Sequence, residues 1–177
     1  EGRRRSVYYA GDKVVWECSL DGAAPAWFLA SGYGKVDASD LVSLERVFSQ
    51  LRRRGTRVAF DPSPWFAGRA APEAMLALWA QVDCLVGTEE ELSAWHPAAD
   101  PETLAVELLR RGPAQVVVKR GAEGAVYASR TDGRGRLPTE PGPGANTVGA
   151  GDAFDGRLLA GLCRGEGLEA AVRAAVA

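Results

Sequence analysis

The 177-residue sequence has little that would mark a metalloprotein, a disulfide-stabilised protein or a membrane protein. Its three cysteines, Cys18, Cys84 and Cys163, lie far apart without metal-ligand spacing. We therefore expect buried free thiols in a reducing cytoplasm. The one histidine, His96, has no evident partner, so no catalytic role is expected for it. No apolar run approaches a membrane span, and the first residues lack the apolar core of a signal peptide.

A charge excess of either sign is also missing. The formal net charge of −2 gives no basic field, so nucleic acid is not an expected partner. A Gly-Lys-Ser/Thr motif is absent as well, which disfavours a P-loop ATPase. A hydrophobic share of 46% with 25% charged residues is ordinary for a globular protein, and the length suits one domain with a sizeable core.

What the sequence does have is an alternation of short apolar runs and helical patterns. We predict strands over Trp27–Ala30, Arg57–Phe60, Asp83–Val86 and Gln115–Val118, and helices over Ser39–Arg54, Pro72–Ala80 and Pro101–Gly112. This order predicts a mostly parallel sheet with helices on both faces. Loops after Asp61, Gly87 and Lys119 then meet at the carboxyl edge of the sheet, where ligands bind.

Three segments depart from that alternation. Val7–Tyr9 and Val14–Trp16 flank a turn and predict a hairpin, and Ala125–Ser129 is predicted to return antiparallel after Gly121–Gly124. The Gly/Pro-rich stretch 133–144 is predicted to be a loop. The tryptophans at positions 16, 27, 79 and 95 are interpreted as packing residues.

The strongest motif is Gly149-Ala150-Gly151-Asp152, at the start of a helical pattern. Small residues allow close backbone approach, and amides at a helix N-terminus attract an anion. A carboxylate there would repel a phosphate, but it makes sense if Asp152 accepts a proton from an attacking hydroxyl. The residues alone leave a second interpretation equally open, in which Asp152 is a first-turn helix acid and the glycines form a turn.

The segment 146–156 resembles the C-terminal signature of the ribokinase-like, PfkB-type carbohydrate kinases, through Thr147, the Gly-Ala-Gly-Asp motif and Gly156. The resemblance implies that Asp152 is the catalytic base and that the amides of Gly149, Ala150 and Gly151 form the anion hole for ATP. Asn146 replaces the usual Asp, which puts a monovalent-cation site in doubt. Arg157 replaces a small residue, and the sequence offers no account of it.

The resemblance continues upstream, in the segment 116–125. It implies that Lys119 reaches the nucleotide phosphates, although a solvated lysine at a strand end is the alternative. It also places Gly121, Gly124 and Thr147 beside ATP, the two glycines either through their backbone or simply as turn residues. Asp61 alone matches the family's Asp-x-Asn-x-Arg, which implies no more than a substrate-side position.

Thr88-Glu89-Glu90-Glu91 aligns with the family's Asn-x-x-Glu, so Glu91 is implied to help organise Mg²⁺. Thr-x-x-Glu before a helix is also a capping box, and both interpretations can hold together. The Mg²⁺ itself is expected because ATP phosphates usually hold it.

The fold implied by the resemblance is a ribokinase-like three-layer α/β/α domain over residues 1–177, incomplete at both ends, with residues 6–18 as a remnant of a small β lid. It allows a homodimer. The implied substrate is a keto-deoxy sugar acid, 5-dehydro-2-deoxygluconate before 2-keto-3-deoxygluconate, with a fructokinase or ribokinase as the alternative. A nucleotide-binding remnant without catalysis stays open, as does, more weakly, a dinucleotide oxidoreductase with a Gly-rich turn at Gly142, Gly144 and Gly149.

Overall fold

The computed structural model describes residues 15–17, 24–32, 38–62, 71–139 and 148–177. Six strands form one sheet in chain order: β1 (Trp27–Ser31), β2 (Arg57–Asp61), β3 (Cys84–Thr88), β4 (Gln115–Lys119), β5 (Ala125–Ser129) and β6 (Arg134–Leu137). The first four strands are parallel, and the last two are antiparallel to their neighbours. The predicted parallel sheet and the antiparallel return of Ala125–Ser129 are therefore confirmed.

Helices cover both faces of this sheet, as predicted. They are α1 (Ala38–Arg53), α2 (Pro72–Trp79), α3 (Glu89–Ser93), α4 (Pro101–Arg110), α5 (Ala150–Cys163) and α6 (Leu168–Val176). Side chains of α1 to α4 pack against Val58, Phe60, Val116 and Val118 in one core. Side chains of α5 and α6 pack on the other face, against the alternate strand residues Ala59, Val86 and Val117. The result is the expected three-layer α/β/α arrangement.

Local sequence signals set the helix ends. In α1, Leu44, Phe48 and Leu51 form the fully buried face, and Gly55, with a positive φ of 82°, lets the chain turn back into β2. In α4, the Thr103 amide donates to Asp100 Oδ1 at 2.7 Å, and Pro101 occupies the first turn. The predicted helices are confirmed to within a residue or two.

Two predictions of local structure were wrong in the parts that the structure describes. The stretch predicted to be a loop from Gly133 begins instead with β6, because Gly133 (φ 74°) makes the turn and Leu137 points into the core. Of the predicted hairpin over 7–16, the structure describes only Val15 and Trp16, and Trp16 lies in a 3-10 turn rather than a strand. Its buried indole donates to Asp40 Oδ1 at 3.2 Å, so tertiary packing overrides the strand preference of Val-Val-Trp.

The predictions for single tryptophan, cysteine and histidine residues were partly right and partly wrong. The four tryptophans are buried, and so is the free thiol of Cys84, but Cys163 is exposed because it lies on the solvent side at the end of α5. Cys18 lies outside the described residues. His96 does have a partner, since its Nε2 lies 2.7 Å from Glu107 Oε2. Among the described residues, no helix combines the length and apolarity needed to cross a membrane.

Candidate active site

Three strand ends and one helix start meet at the carboxyl edge of the sheet. The strands β2, β3 and β4 end at Asp61, Thr88 and Lys119, with Thr88 directly opposite Lys119. The helix α5 starts at the same edge, because the Lys119 ammonium reaches Asp155 in its second turn. Open α/β sheets bind ligands at this edge, so the geometry places the sequence-predicted residues in the expected location.

The centre of this edge is a buried ion cluster formed by Lys119, Asp61 and Asp155. Lys119 Nζ donates to Asp61 Oδ2 at 2.9 Å and to the two Asp155 carboxylate oxygens at 3.2 and 3.3 Å. The Lys119 and Asp155 side chains are 9% and 4% exposed, and Asp61 is 17% exposed. The alternative of a solvated strand-end lysine is therefore wrong.

The cluster holds two carboxylates against one ammonium, and the pKa values of Asp61 and Lys119 are shifted within it. Burial raises the pKa of Asp61 to about 7, the nearby Lys119 charge opposes this, and the contact with Asp155 adds to it. Burial acts to lower the pKa of Lys119, but the two carboxylates outweigh it and the pKa is raised. Lys119 therefore stays charged, and Asp61 takes up a proton near neutral pH.

Sequence reasoning missed Asp155, although a signal for it was present. Asp155 shares a helix face with Leu158 and Leu162, which are buried against the sheet. A carboxylate on an apolar face requires a buried partner of opposite charge. Lys119, the cation at the end of an otherwise apolar strand, was the available candidate.

The N-terminus of α5 lies beside this cluster and begins with backbone amides that precede the helical hydrogen bonds. Gly149 occupies the N-cap position in a left-handed conformation (φ 79°), with no side-chain cap. The first helical hydrogen bond runs from the Ala153 amide to the Gly149 carbonyl, so the amides of Ala150 to Asp152 precede helical bonding. A Cβ added at Gly151 would lie 3.7 Å from Lys119 Nζ. The Asp152 carboxylate is exposed in this first turn.

Glu91 lies at the start of α3, in a complete capping box. The Thr88 amide donates to Glu91 Oε2 at 2.7 Å, and the Glu91 amide donates to Thr88 Oγ1 at 3.2 Å. Burial raises the pKa of Glu91, and the charges of Asp61 and Lys119 also act on it. The capping interpretation is confirmed, and Glu91 is close enough to the ion cluster to interact with it electrostatically.

The turn between β4 and β5 borders the same edge and contains the two glycines predicted to lie near ATP. Gly121 has a φ of 54° with open space where a Cβ would be, whereas a Cβ at Gly124 would lie 2.0 Å from the Leu137 carbonyl oxygen. Arg120 fixes the turn, donating to Glu89 at 2.9 Å and to Glu123 at 2.8 Å. Gly124 is therefore required by packing, while Gly121 is open to a ligand.

Two of the sequence-predicted positions, Thr147 and Asn146, lie outside the described residues. Arg157, for which the sequence offered no role, donates from Nε to the Ala174 carbonyl at 3.3 Å and so links α5 to α6. Within the described ranges, no group of three or more His, Cys, Asp or Glu side chains could form a metal site. One carboxylate beside a phosphate site still fits Mg²⁺, because nucleotide phosphates and water supply most of its ligands.

Comparisons with known proteins point to one family of enzymes. A model of the pfkB family of carbohydrate kinases matches residues 28–177. The chain is 32% identical to the ribokinase of Mus musculus, covering 70% of this chain and 38% of the relative, and 36% identical to a fructokinase of Rhizobium leguminosarum bv. trifolii, covering 47% and 25%. The crystal structure of a PfkB protein from Polaromonas sp. JS666 superposes with a TM-score of 0.71 at 28% identity, over 85% of this chain and 51% of that one.

These similarities exclude the alternative of a dinucleotide oxidoreductase and confirm the ribokinase-like fold. The chain spans less than half the length of those two curated relatives. The family match itself runs from the second residue of β1 to Ala177, just after α6, and so includes every strand end and helix start of the candidate site. The chain belongs to the PfkB family of carbohydrate kinases.

Proposed function

We propose that the protein transfers the γ-phosphoryl group of ATP to a hydroxyl group of a sugar. The observation that carries this proposal is the position of Asp152 in the first turn of α5, directly after Gly151, whose Cβ position lies 3.7 Å from the buried Lys119 ammonium. A base and an anion hole within one helical turn are what phosphoryl transfer needs, because its catalysis is mainly positioning and electrostatics. ATP is the phosphate donor in kinases of this family.

In this proposal, Asp152 acts on the acceptor hydroxyl. Its carboxylate takes the hydroxyl proton while the sugar oxygen forms a bond to the γ-phosphorus, and the bond from that phosphorus to the β–γ bridging oxygen breaks. ADP leaves with the electron pair of that bond. The amides of Gly149, Ala150 and Gly151 donate to the oxygens of the transferring group, where negative charge develops.

The nucleotide side of the proposal uses the glycines of two turns. Gly121 and Gly124 belong to the turn after β4, Gly149 and Gly151 belong to the start of α5, and Thr147 is added by its place in the motif. When bound, Mg²⁺ would neutralise charge on the phosphates, and Glu91 is the described carboxylate placed to orient it. Oε2 of Glu91 already accepts from the Thr88 amide, so any interaction of Glu91 with the ion would be through its other oxygen or through water.

For the acceptor, we propose a neutral sugar of the ribokinase or fructokinase type before a keto-deoxy sugar acid. The support is that two of the curated relatives are a ribokinase and a fructokinase, each more than 30% identical to this chain. The two interpretations differ in the charge of the acceptor, so one panel of sugars separates them.

The test is ATP-dependent phosphorylation of ribose, fructose, 5-dehydro-2-deoxygluconate and 2-keto-3-deoxygluconate, with calorimetry of ATP and Mg²⁺ binding in parallel. We expect ADP release with a neutral sugar, at a higher kcat/KM than with either acid. Preference for an acid would overturn the choice of acceptor only. ATP binding without transfer to any sugar would favour a nucleotide-binding remnant, and failure to bind ATP would overturn the whole proposal.

A further inference from the structure

Among the residues that the structure describes, the first turn of α5 buries none of its own side chains. Its N-cap residue, Gly149, offers no side-chain hydrogen bond, and residues 150–153 are exposed. Phe154 is only half-buried, and the fully buried apolar residues begin at Leu158. Asp155 is the first buried residue of the helix, 3% exposed, and Lys119 is its ionic partner.

This arrangement matters because the proposed base stands on that turn. Asp152 and Asp155 are three residues apart, so they lie about one helical turn from each other on the same side of α5. Whatever fixes Asp155 over the sheet therefore also fixes the direction of Asp152 and of the amides before it. The Lys119 side chain comes from the end of β4. This strand lies inside the sheet and is buried on both faces, so it holds Lys119 firmly.

We propose that Lys119 and Asp155 are positioning residues, which fasten the start of α5 to the ends of β2 and β4 and so aim Asp152 at the acceptor hydroxyl. This inference rests on the proposed function and extends it to two side chains with a role apart from nucleotide binding. Asp61 completes the attachment, because its Oδ2 lies 2.9 Å from the same ammonium and holds Lys119 from the β2 side. The helix is thereby tied to two strands through one nitrogen atom.

The alternative role for Lys119, a direct contact with ATP phosphates, makes a different prediction. An ammonium group has three donors, and contacts with Asp61 and Asp155 already occupy Lys119. If Lys119 binds the phosphates, its replacement should lower the affinity for ATP, whatever residue stands at position 155. A positioning residue would instead lower kcat, and its effect would depend on Asp155.

The kinetic test compares Asp155→Asn, Lys119→Met and the double variant with the parent protein. Asp155→Asn keeps the shape and removes the charge, and we expect kcat to fall about 10- to 100-fold, since misplacement by about 1 Å costs on that order. ATP affinity by calorimetry should stay within about twofold of the parent protein. Because the pair acts as one unit, the two losses of kcat should not multiply. The kcat of the double variant should be close to that of the slower single variant.

The matched control is Arg173→Met, which breaks an exposed ion pair with Glu169 at 2.7 Å on α6 and should change neither kcat nor ATP affinity. A kcat for Asp155→Asn within twofold of the parent protein would overturn the proposal, as would multiplying losses in the double variant. A large loss of ATP affinity in Lys119→Met alone would assign Lys119 to the phosphates instead. Loss of activity in Asp152→Asn with full activity in Asp155→Asn would overturn the positioning role and leave the proposed function standing. Full activity in Asp152→Asn would overturn the proposed base, and with it the role of aiming that base.

A second measurement tests, without any catalysis, whether the ion cluster holds the start of α5 in place. Hydrogen exchange of the amides at 153–156 should become at least tenfold faster in Asp155→Asn and Lys119→Met, while amides at 160–163, near the other end of α5, exchange as in the parent protein. Arg173→Met should leave both sets unchanged. Unaltered exchange at 153–156 would overturn the proposal even for a variant that has lost activity, and faster exchange throughout the helix would indicate general destabilisation and overturn it as well.

Discussion

At the scale of single residues, Asp61 is the group whose protonation the surroundings change most clearly. Burial raises the pKa of Asp61 to about 7, from an ordinary value near 3.8. The folded protein therefore holds this proton to a higher pH than the unfolded chain does. Stability from this group is complete below about pH 4 and is lost as the pH rises to about 7, by up to about 1.4 kcal/mol per pH unit.

Replacement of Asp61 by Asn should remove that dependence, because the amide stays neutral throughout. We expect the free energy of unfolding of Asp61→Asn, minus that of the parent protein, to increase from pH 4 to pH 7 and then to level off. Urea unfolding followed by circular dichroism at several pH values measures this difference. A difference that is constant across the range would show that the fold does not raise the pKa of Asp61.

Glu91 offers a test that separates its capping role from its role toward Mg²⁺. Gln at this position can still accept from the Thr88 amide, so Glu91→Gln should keep the capping box and lose only the charge. We expect the Mg²⁺ concentration for half-maximal activity to rise about 10-fold, as for other groups that orient a metal indirectly.

The neighbouring Glu90→Gln is the control for that experiment, since Glu90 lies in the same first turn of α3 but is exposed. It should leave the Mg²⁺ dependence unchanged. Equal Mg²⁺ requirements for Glu91→Gln and the parent protein would restrict Glu91 to its capping role.

At the scale of elements, the turn between β4 and β5 predicts a contrast between two glycines. Both have positive φ, 54° at Gly121 and 85° at Gly124, but only at Gly124 would a Cβ collide with the backbone of β6. Gly124→Ala should cost about 3 kcal/mol of stability from strain and overpacking, and Gly121→Ala about 1–2 kcal/mol from strain alone. Urea unfolding of both variants checks this, and equal losses would contradict it.

The elements that the sequence predicted well are those with a strong local pattern. The parallel strands are continuous apolar runs, and α4 carries both an N-cap aspartate and a first-turn proline, so their assignment needed no tertiary information. β6 was missed because Arg-Gly-Arg-Leu has a glycine and one core residue, and it becomes a strand only by pairing with β5. Trp16 was wrongly assigned to a strand, because its local sequence favours a strand. Its burial against α1 and its hydrogen bond to Asp40 depend on tertiary structure, which a local pattern does not contain.

The candidate site shows the same division. Asp152 and the glycines before it were found because they are contiguous, and contiguity is what a sequence pattern detects. Asp155 and Asp61 were missed as partners of Lys119, because the three residues are separated by 36 and 58 positions and meet only in the folded sheet. Thr147 stays a prediction, since it lies outside the described residues.

At the scale of the whole molecule, the two cores lie on opposite faces of the sheet, and the helix that carries the proposed base belongs to only one of them. The helices α1 to α4 cover one face, and α5 and α6 cover the other, so the proposed base stands on a helix pair that contacts the sheet mainly through Leu158, Leu162, Leu168 and Val172. The first turn of that pair reaches the ligand-binding edge through the Lys119 cluster. The account therefore depends on α5 acting as a rigid carrier of Asp152.

The most direct test is the rate of phosphoryl transfer by Asp152→Asn with the preferred sugar at saturating ATP, together with its ATP affinity. Loss of a positioned base should lower kcat by about 10²- to 10⁴-fold while ATP still binds. Glu73→Gln is the control, because Glu73 is likewise a first-turn helix acid, in α2 and exposed, and its replacement should leave kcat unchanged. A kcat for Asp152→Asn equal to that of the parent protein would contradict the account.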